Sequence, residues 1–172
     1  MNSSFSQVDF DLGFLNEEFL EVDFQLYRAT VLDDDQEDVF FSAFVCLVKD
    51  ENQLDEIWSG ISNLIGVDYQ SNLNNEFSRW NIYLFFLTEE LVGNEVKYKI
   101  ENDKFFVRKL VLDGEENINK EKDVSKYLNN HILDNDITIH ELQKEASSDE
   151  YSYSDTAKRL LSENIPLSQS DH

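Results

Sequence analysis

The sequence predicts a single α+β domain with a mixed or antiparallel sheet, flanking helices and a C-terminal helical segment. Two segments of strand length, at 39–48 and 79–87, are rich in aromatic and branched residues, and an amphipathic segment lies between them. The 172 residues contain one proline and five glycines, so no linker rich in these residues divides the chain. We expect the α+β domain to span residues 1–146. Residues 147–172 should form a partly ordered linker and a short helix.

The first strands are predicted from two different patterns. In the segment 21–31, Val22, Phe24 and Leu26 alternate with polar residues, which favours a half-buried strand, although a helix is the competing prediction. The segment 39–48 is apolar on both faces and is typical of a central strand. Its Cys46, the only cysteine, is expected to be a small buried hydrophobic residue.

A helix is predicted to follow the first central strand, with Asp50 as its N-cap. Apolar residues then recur at spacings of three and four, which places them on one helical face: Leu54, Ile57, Trp58, Ile61, Leu64 and Ile65. The aromatic and branched composition of 79–87 predicts a second central strand.

The segment 94–114 is interpreted as a hairpin that turns at Asn102 and Asp103. In that register one face would hold Val96, Tyr98, Ile100, Phe105, Val107 and Val111, joined at its end by Lys109. The opposite face would gather Lys97, Lys99, Lys104 and Arg108 around Phe106. Like charges side by side on a sheet are unfavourable unless acids or an anionic partner compensate them. The protein's own acids and a partner are equally good candidates.

The last third of the chain changes to helical spacing. A helix is predicted from about Lys120 to Leu133, with an apolar stripe of Val124, Tyr127, Leu128, His131 and Ile132. A short helix is predicted over 155–164, ending before Pro166.

The net charge of −22 disfavours sequence-independent binding to nucleic acid by this chain alone, unless its few cations are gathered on one face. Residues 1–60 hold fifteen acids and only two cations, whereas residues 97–126 hold eight of the fourteen cations. We find no signal-peptide pattern and no apolar run long enough to span a membrane. The single cysteine suits a reducing compartment, and we therefore expect a cytoplasmic protein.

No catalytic, cofactor-binding or metal-binding set is predicted. One cysteine and three histidines cannot build a zinc signature. An acidic run at 134–145 imitates a calcium loop, but Ile139 stands where that loop requires glycine. Glu95-Val96-Lys97 matches part of a metal-dependent nuclease motif, yet a chain with 36 acids produces such tripeptides by chance. No cofactor is expected.

Residues 79–114 resemble the middle components of bacterial ABC-three-component defence systems, including the small middle subunit of Lamassu-type systems. The matching features are Trp80 with Tyr83 on one strand, the run 97–103, and the run 108–111 that closes the next strand. The run 41–44 ahead of a tryptophan-bearing helix is similar to the front half of that family.

This resemblance implies a non-enzymatic adaptor that holds an effector, often a nuclease, against an SMC-like coiled-coil ATPase. Interface energy concentrates in aromatic residues and arginine. We therefore predict a partner interface that is formed by Lys97, Lys99, Lys104, Arg108, Lys109, Tyr151 and Tyr153. The alternatives are an acidic DNA mimic that inhibits a nucleic-acid enzyme and a nuclease that uses Glu95 and Lys97.

Overall fold

A computed structural model of the chain describes residues 4–32, 38–114 and 121–133. All of them belong to the first of two compact units, residues 1–134. The strands are β1 (Ser6–Gln7), β2 (Asp23–Leu32), β3 (Asp38–Leu47), β4 (Ile82–Thr88) and β5 (Arg108–Asp113). The helices are α1 (Gly13–Asn16), α2 (Glu51–Leu64), α3 (Glu76–Trp80), α4 (Asn94–Glu101) and α5 (Glu121–Leu128). A π-helical turn, Ile65–Tyr69, extends α2, and a second one, Asn129–Leu133, extends α5.

The five strands form one mixed sheet in the order β1-β2-β3-β4-β5. The pairs β1–β2 and β2–β3 are antiparallel, whereas β3–β4 and β4–β5 are parallel. In the centre of the sheet, Phe44 of β3 lies between Leu26 of β2 and Leu84 of β4. The predicted α+β class is therefore confirmed, and the sheet is the mixed one of the two alternatives.

Both faces of the sheet are buried, because helices cover each of them. Phe44, Cys46 and Phe86 pack in one core with the apolar face of α2, where Leu54 and Ile61 are fully buried. On the other face, the ring of Phe85 meets Tyr127 of α5 edge-on at 6.2 Å, so α5 lies over that side. Burial raises the pKa of the Cys46 thiol, which keeps it protonated and inert.

The predictions for the first half of the chain are confirmed. Segment 21–31 is a strand and not a helix, and 39–48 is the central β3. Asp50 caps α2 as expected, since its carboxylate accepts the backbone N–H of Gln53 at 2.9 Å. The predicted strand at 79–87 is β4, but it begins three residues later, because Trp80 ends helix α3.

The predicted hairpin at 94–114 is wrong. Residues 94–101 form helix α4, and β5 then pairs with β4 in parallel, so no antiparallel ladder runs across Asn102 and Asp103. Of the residues placed on its apolar face, Ile100 and Val107 are buried, whereas Tyr98 and Phe105 are largely exposed. The segment forms a helix and not a strand because, as a helix, it places Val96 and Ile100 on one face at i and i+4, and this face packs against α2 and β5.

The predicted helix at 120–133 is confirmed in part. Val124, Leu128 and Ile132 are buried as expected, but His131 is exposed and stacks on Tyr127 with ring centroids 3.8 Å apart. The helix predicted at 155–164 lies outside the described residues. None of the described helices is long and apolar enough to cross a lipid bilayer.

Candidate docking surface

The loop that joins α4 to β5, residues 102–107, is held from beneath by a buried lysine. The Lys109 side chain has no exposed area, and its Nζ donates to the Asp103 carboxylate at 2.6 Å. The same Nζ donates to the carbonyl oxygens of Phe105 at 2.8 Å and Val107 at 3.1 Å. An ammonium group in a dry site requires such partners, and here they all come from the loop itself. Lys109 therefore fixes the loop's conformation.

The tip of this loop is a tight turn around Phe106. Its φ of 62° is positive, which is uncommon for a bulky residue, and Val107 N–H donates to Phe105 O across it at 2.8 Å. This is the strained form of γ-turn. Gln70 stabilises it by donating its side-chain N–H to Phe106 O at 3.0 Å. Strained backbone that the surroundings enforce is concentrated at functional sites.

A glycine in the π-helical turn makes room for the aromatic ring of this tip. A Cβ atom on Gly66 would lie 2.2 Å from Cδ1 of Phe106, so only glycine allows the ring to lie there. Short π-helical segments are rare and frequently occur at functional sites. The ring of Phe106 is thus seated against the body of the domain although it is 43% exposed.

Exposed aromatic side chains gather around this loop. Phe105 is 74% exposed and Trp80, at the end of α3, is 63% exposed. Trp80 and Phe106 line one open cleft of about 520 Å³ together with Lys104 and Arg108. Two acids also line it, but both are engaged within the chain, since Glu101 accepts from Val111 N–H and Asp103 accepts from Lys109. Tyr98, 71% exposed, lies one helical turn before the loop. Large exposed aromatics in one place mark interaction sites.

Two cations lie among these aromatic residues. Lys104 is exposed and makes no ion pair with any residue that the structure describes. Arg108 donates from Nη1 to the Tyr83 hydroxyl at 2.7 Å and lies 5.3 Å from the centre of that ring. We call Trp80, Lys104, Phe105, Phe106 and Arg108 the aromatic–cationic surface. It lies at the amino ends of β4 and β5.

The predicted cationic face is divided by the fold. Lys97 and Lys99 lie on α4, where Lys97 pairs with Asp113 and Lys99 pairs with Asp55 at 2.7 Å. For these two lysines the protein's own acids are the compensating charges. Only Lys104, Arg108 and Lys109 line a common cleft, and Lys109 is buried beneath it.

Asp113 is held ionised at the opposite end of β5. Burial acts to raise the pKa of its carboxyl group, but hydrogen bonds from Lys97 Nζ and from Val92 N–H, with the charge of Lys97, outweigh burial and lower it. Lys97 therefore stabilises a carboxylate within the fold.

Sequence reasoning missed the aromatic part of the surface. Trp80 and Phe106 were assigned to strands, and Phe105 to an apolar sheet face. The signal in the sequence was the doublet Phe105-Phe106 next to Lys104. Two adjacent aromatic side chains fit neither the period of a strand nor that of a helix, so they cannot both lie on one buried face. Tyr151 and Tyr153 lie outside the described residues.

The nuclease alternative finds no support in the geometry of α4. Glu95 and Lys97 are two residues apart on a helix, a spacing at which side chains do not face each other. Lys97 is engaged with Asp113 instead. Within the described parts of the chain, no three His, Cys, Asp or Glu side chains converge as metal ligands would.

Comparison with known proteins adds one family. The family model of the ABC-three component (ABC-3C) system Middle Component 1 matches residues 42–136. This range includes β4, α4, β5 and the whole aromatic–cationic surface. No curated protein matches the chain, and no solved structure does. Because the match spans 95 of the 172 residues, the chain belongs to the ABC-3C Middle Component 1 family.

Proposed function

We propose that this chain is a non-enzymatic adaptor in an ABC-3C defence complex of the Lamassu type, bridging an SMC-like coiled-coil ATPase and an effector subunit in the bacterial cytoplasm. The observation that carries the proposal is the exposed aromatic–cationic surface within the region that the family model matches. This surface contains the residue types that contribute most of the binding energy in protein–protein interfaces, namely tryptophan, other aromatic residues and arginine.

The rigidity of the loop supports this role. Lys109, Gln70 and Gly66 hold the tip in one conformation before any partner binds. A preorganised anchor loses less conformational entropy on association than a mobile one. The surface is therefore suited to recognition of a partner, and its function requires no reacting group.

The charge of the chain also suits an adaptor among proteins that handle DNA. With a net charge of −22, most of the surface favours encounter with basic partners. The aromatic–cationic surface differs from the rest of the domain, because it exposes the cations Lys104 and Arg108. We expect it to dock a different partner, or a different part of the same partner, from the acidic remainder.

The test is assembly with an SMC-like ATPase and an effector subunit of the same ABC-3C system. The double variant Trp80→Ala and Phe105→Ala should weaken binding to one partner at least about thirtyfold, because even a single central aromatic anchor contributes about 2 kcal/mol or more and the losses at neighbouring anchors are not additive. Both residues are exposed, so the variant should unfold at the same denaturant concentration as the wild type.

The matched control is the double variant Leu20→Ala and Leu91→Ala. These leucines are 85% and 80% exposed and lie outside the aromatic–cationic surface, so removing them should leave binding unchanged. Charge reversal at Lys104 tests the cationic part, whereas Lys109 is unsuitable because it is buried. Equal binding by wild type and the aromatic double variant would remove this surface from the interface. Substrate turnover by the purified chain would refute the non-enzymatic role.

A further inference from the structure

A second cationic site lies on β2, at Arg28. The guanidinium group is half-buried, and its Nε and Nη2 donate to the Tyr69 hydroxyl at 3.1 and 3.0 Å. The Tyr69 hydroxyl lies 2.6 Å from Ser42 Oγ, and both of these residues are buried. The site thus has a fixed polar base inside the core.

Aromatic rings hold the guanidinium group in position. Its central carbon is 4.4 Å from the centre of the Phe40 ring, 5.2 Å from that of Phe10 and 5.6 Å from that of Tyr69. Cation–π contacts of this kind are attractive and offset part of the loss of hydration. They also restrict the rotation of a long side chain, so the donors of Arg28 are preorganised.

Arg28 lacks the partner that arginine usually has. A guanidinium group carries five N–H donors, and the hydrogen bonds to Tyr69 use one on Nε and one on Nη2. None of the acids that the structure describes forms an ion pair with Arg28. Three donors of a half-buried, immobilised cation therefore have no acceptor within the described residues.

We propose that Arg28 binds the carboxylate of an aspartate or glutamate side chain of a partner protein. The planar fork of guanidinium matches a carboxylate, with which it forms two parallel hydrogen bonds. A nucleic acid would bring many phosphates close to a domain with charge −22, and each of them would be repelled. A partner protein, in contrast, can present a single carboxylate. At physiological salt the repulsion by distant acids is screened beyond about 8 Å. This site is independent of the aromatic–cationic surface.

The test follows the side-chain Nε–Hε resonance of Arg28 by NMR while a capped Gly-Glu-Gly tripeptide is added. A saturable shift is expected, and the capped Gly-Gln-Gly peptide should bind at least about tenfold more weakly, because it lacks the charge and the second equivalent oxygen. The Nε–Hε resonance of Arg79 is the internal control. Its guanidinium group donates through the same two nitrogens to Leu73 O at 3.2 and 2.6 Å, but no described aromatic ring packs on it. It is therefore less preorganised than Arg28 and should respond about tenfold more weakly.

Inorganic phosphate provides the competing arm. Binding of phosphate about tenfold more tightly than the glutamate peptide would overturn the proposal in favour of a phosphate ligand. No saturable shift with the glutamate peptide, or an equal response to both peptides, would also overturn it. The variant Tyr69→Phe keeps the ring but frees the guanidinium group, and it should weaken peptide binding several-fold. All these readouts use the isolated chain, so they remain informative whether or not the aromatic–cationic surface docks a partner.

Discussion

The two ends of the parallel strands β4 and β5 differ in how their polar groups are paired and in whether aromatic side chains are exposed. At the carboxyl end, charges are satisfied inside the chain, since Asp113 accepts from Lys97 and Val92 and Glu51 accepts from Gly93 N–H at 2.5 Å. At the amino end, the Lys109 ammonium group instead holds the loop 102–107 in place, and the aromatic side chains of that loop are exposed to solvent. Internal pairing indicates a structural role, whereas exposed aromatics on an enforced backbone indicate a docking role.

The largest expected effect is at Lys109, beneath the loop. The variant Lys109→Met should lower the free energy of unfolding by about 3 kcal/mol, because it leaves the Asp103 carboxylate and several carbonyl groups without their buried donor. Urea denaturation followed by circular dichroism measures it. A loss below about 1 kcal/mol would contradict the claim that this ammonium group holds the loop.

The next effect is at Gly66, where the ring of Phe106 lies. Gly66→Ala forces the ring or the backbone to move, and we expect a loss of about 2 kcal/mol of stability from overpacking. Gly60→Ala in α2 is the matched control. Its Cβ would meet only the end of the Phe19 ring, at 3.0 Å, and alanine favours the helix, so stability should change by less than about 1 kcal/mol. Equal effects of the two substitutions would argue against a special role for Gly66.

A smaller effect is expected at the carboxyl end. Asp113→Asn should lower the free energy of unfolding by about 1.5 kcal/mol at pH 7, because hydrogen bonds to a charged group are lost. The pKa of Asp113 is lowered in the folded state, so its carboxylate stabilises the fold fully above the ordinary aspartate pKa of about 3.9. That contribution is lost as the pH falls through the lowered pKa. The difference between wild type and variant should therefore be constant from pH 5 to 8 and shrink below about pH 4. A difference that persists in acid would contradict this assignment.

The smallest effect is expected at Lys99, whose ion pair with Asp55 is exposed on both sides. The two side chains are 54% and 43% exposed, so Lys99→Met should change the free energy of unfolding by about 0.5 kcal/mol or less, and less still in 1 M salt. The same denaturation measurement serves here. A cost as large as that at Lys109 would abolish the distinction between the two lysines.

Local pattern was enough for the elements that carry strong periodicity. The alternation at 21–31, the doubly apolar segment 39–48 and the capped amphipathic helix after Asp50 are observed where they were expected. Each of these elements has enough residues for its period to be unambiguous. The buried state of Cys46 followed from the same pattern, because it lies within a strand that is apolar on both faces.

Segment 94–101 shows where this reasoning failed. Val96, Tyr98 and Ile100 alternate with lysines as in a strand, but eight residues fit a helix equally well when only Val96 and Ile100 must be covered. The choice depended on α2 and β5, which are distant in sequence or come later in the chain. Because 94–101 is a helix, the lysines that were predicted to form one interface lie in two separate places. The pairing of Lys97 with Asp113 could not be inferred while both were assigned to one hairpin.

The sequence by itself determined the α+β class, the central strands, the main helix and the strongly acidic character of this protein, because composition and periodicity depend on neighbouring residues alone. Only the tertiary structure decided which cations are buried, paired or exposed, and it alone placed Trp80 and Phe106 in one cleft. Burial and charge compensation depend on residues that are far apart in the chain, such as Gly66 with Phe106 and Tyr69 with Arg28. Such contacts leave no periodic trace in the sequence.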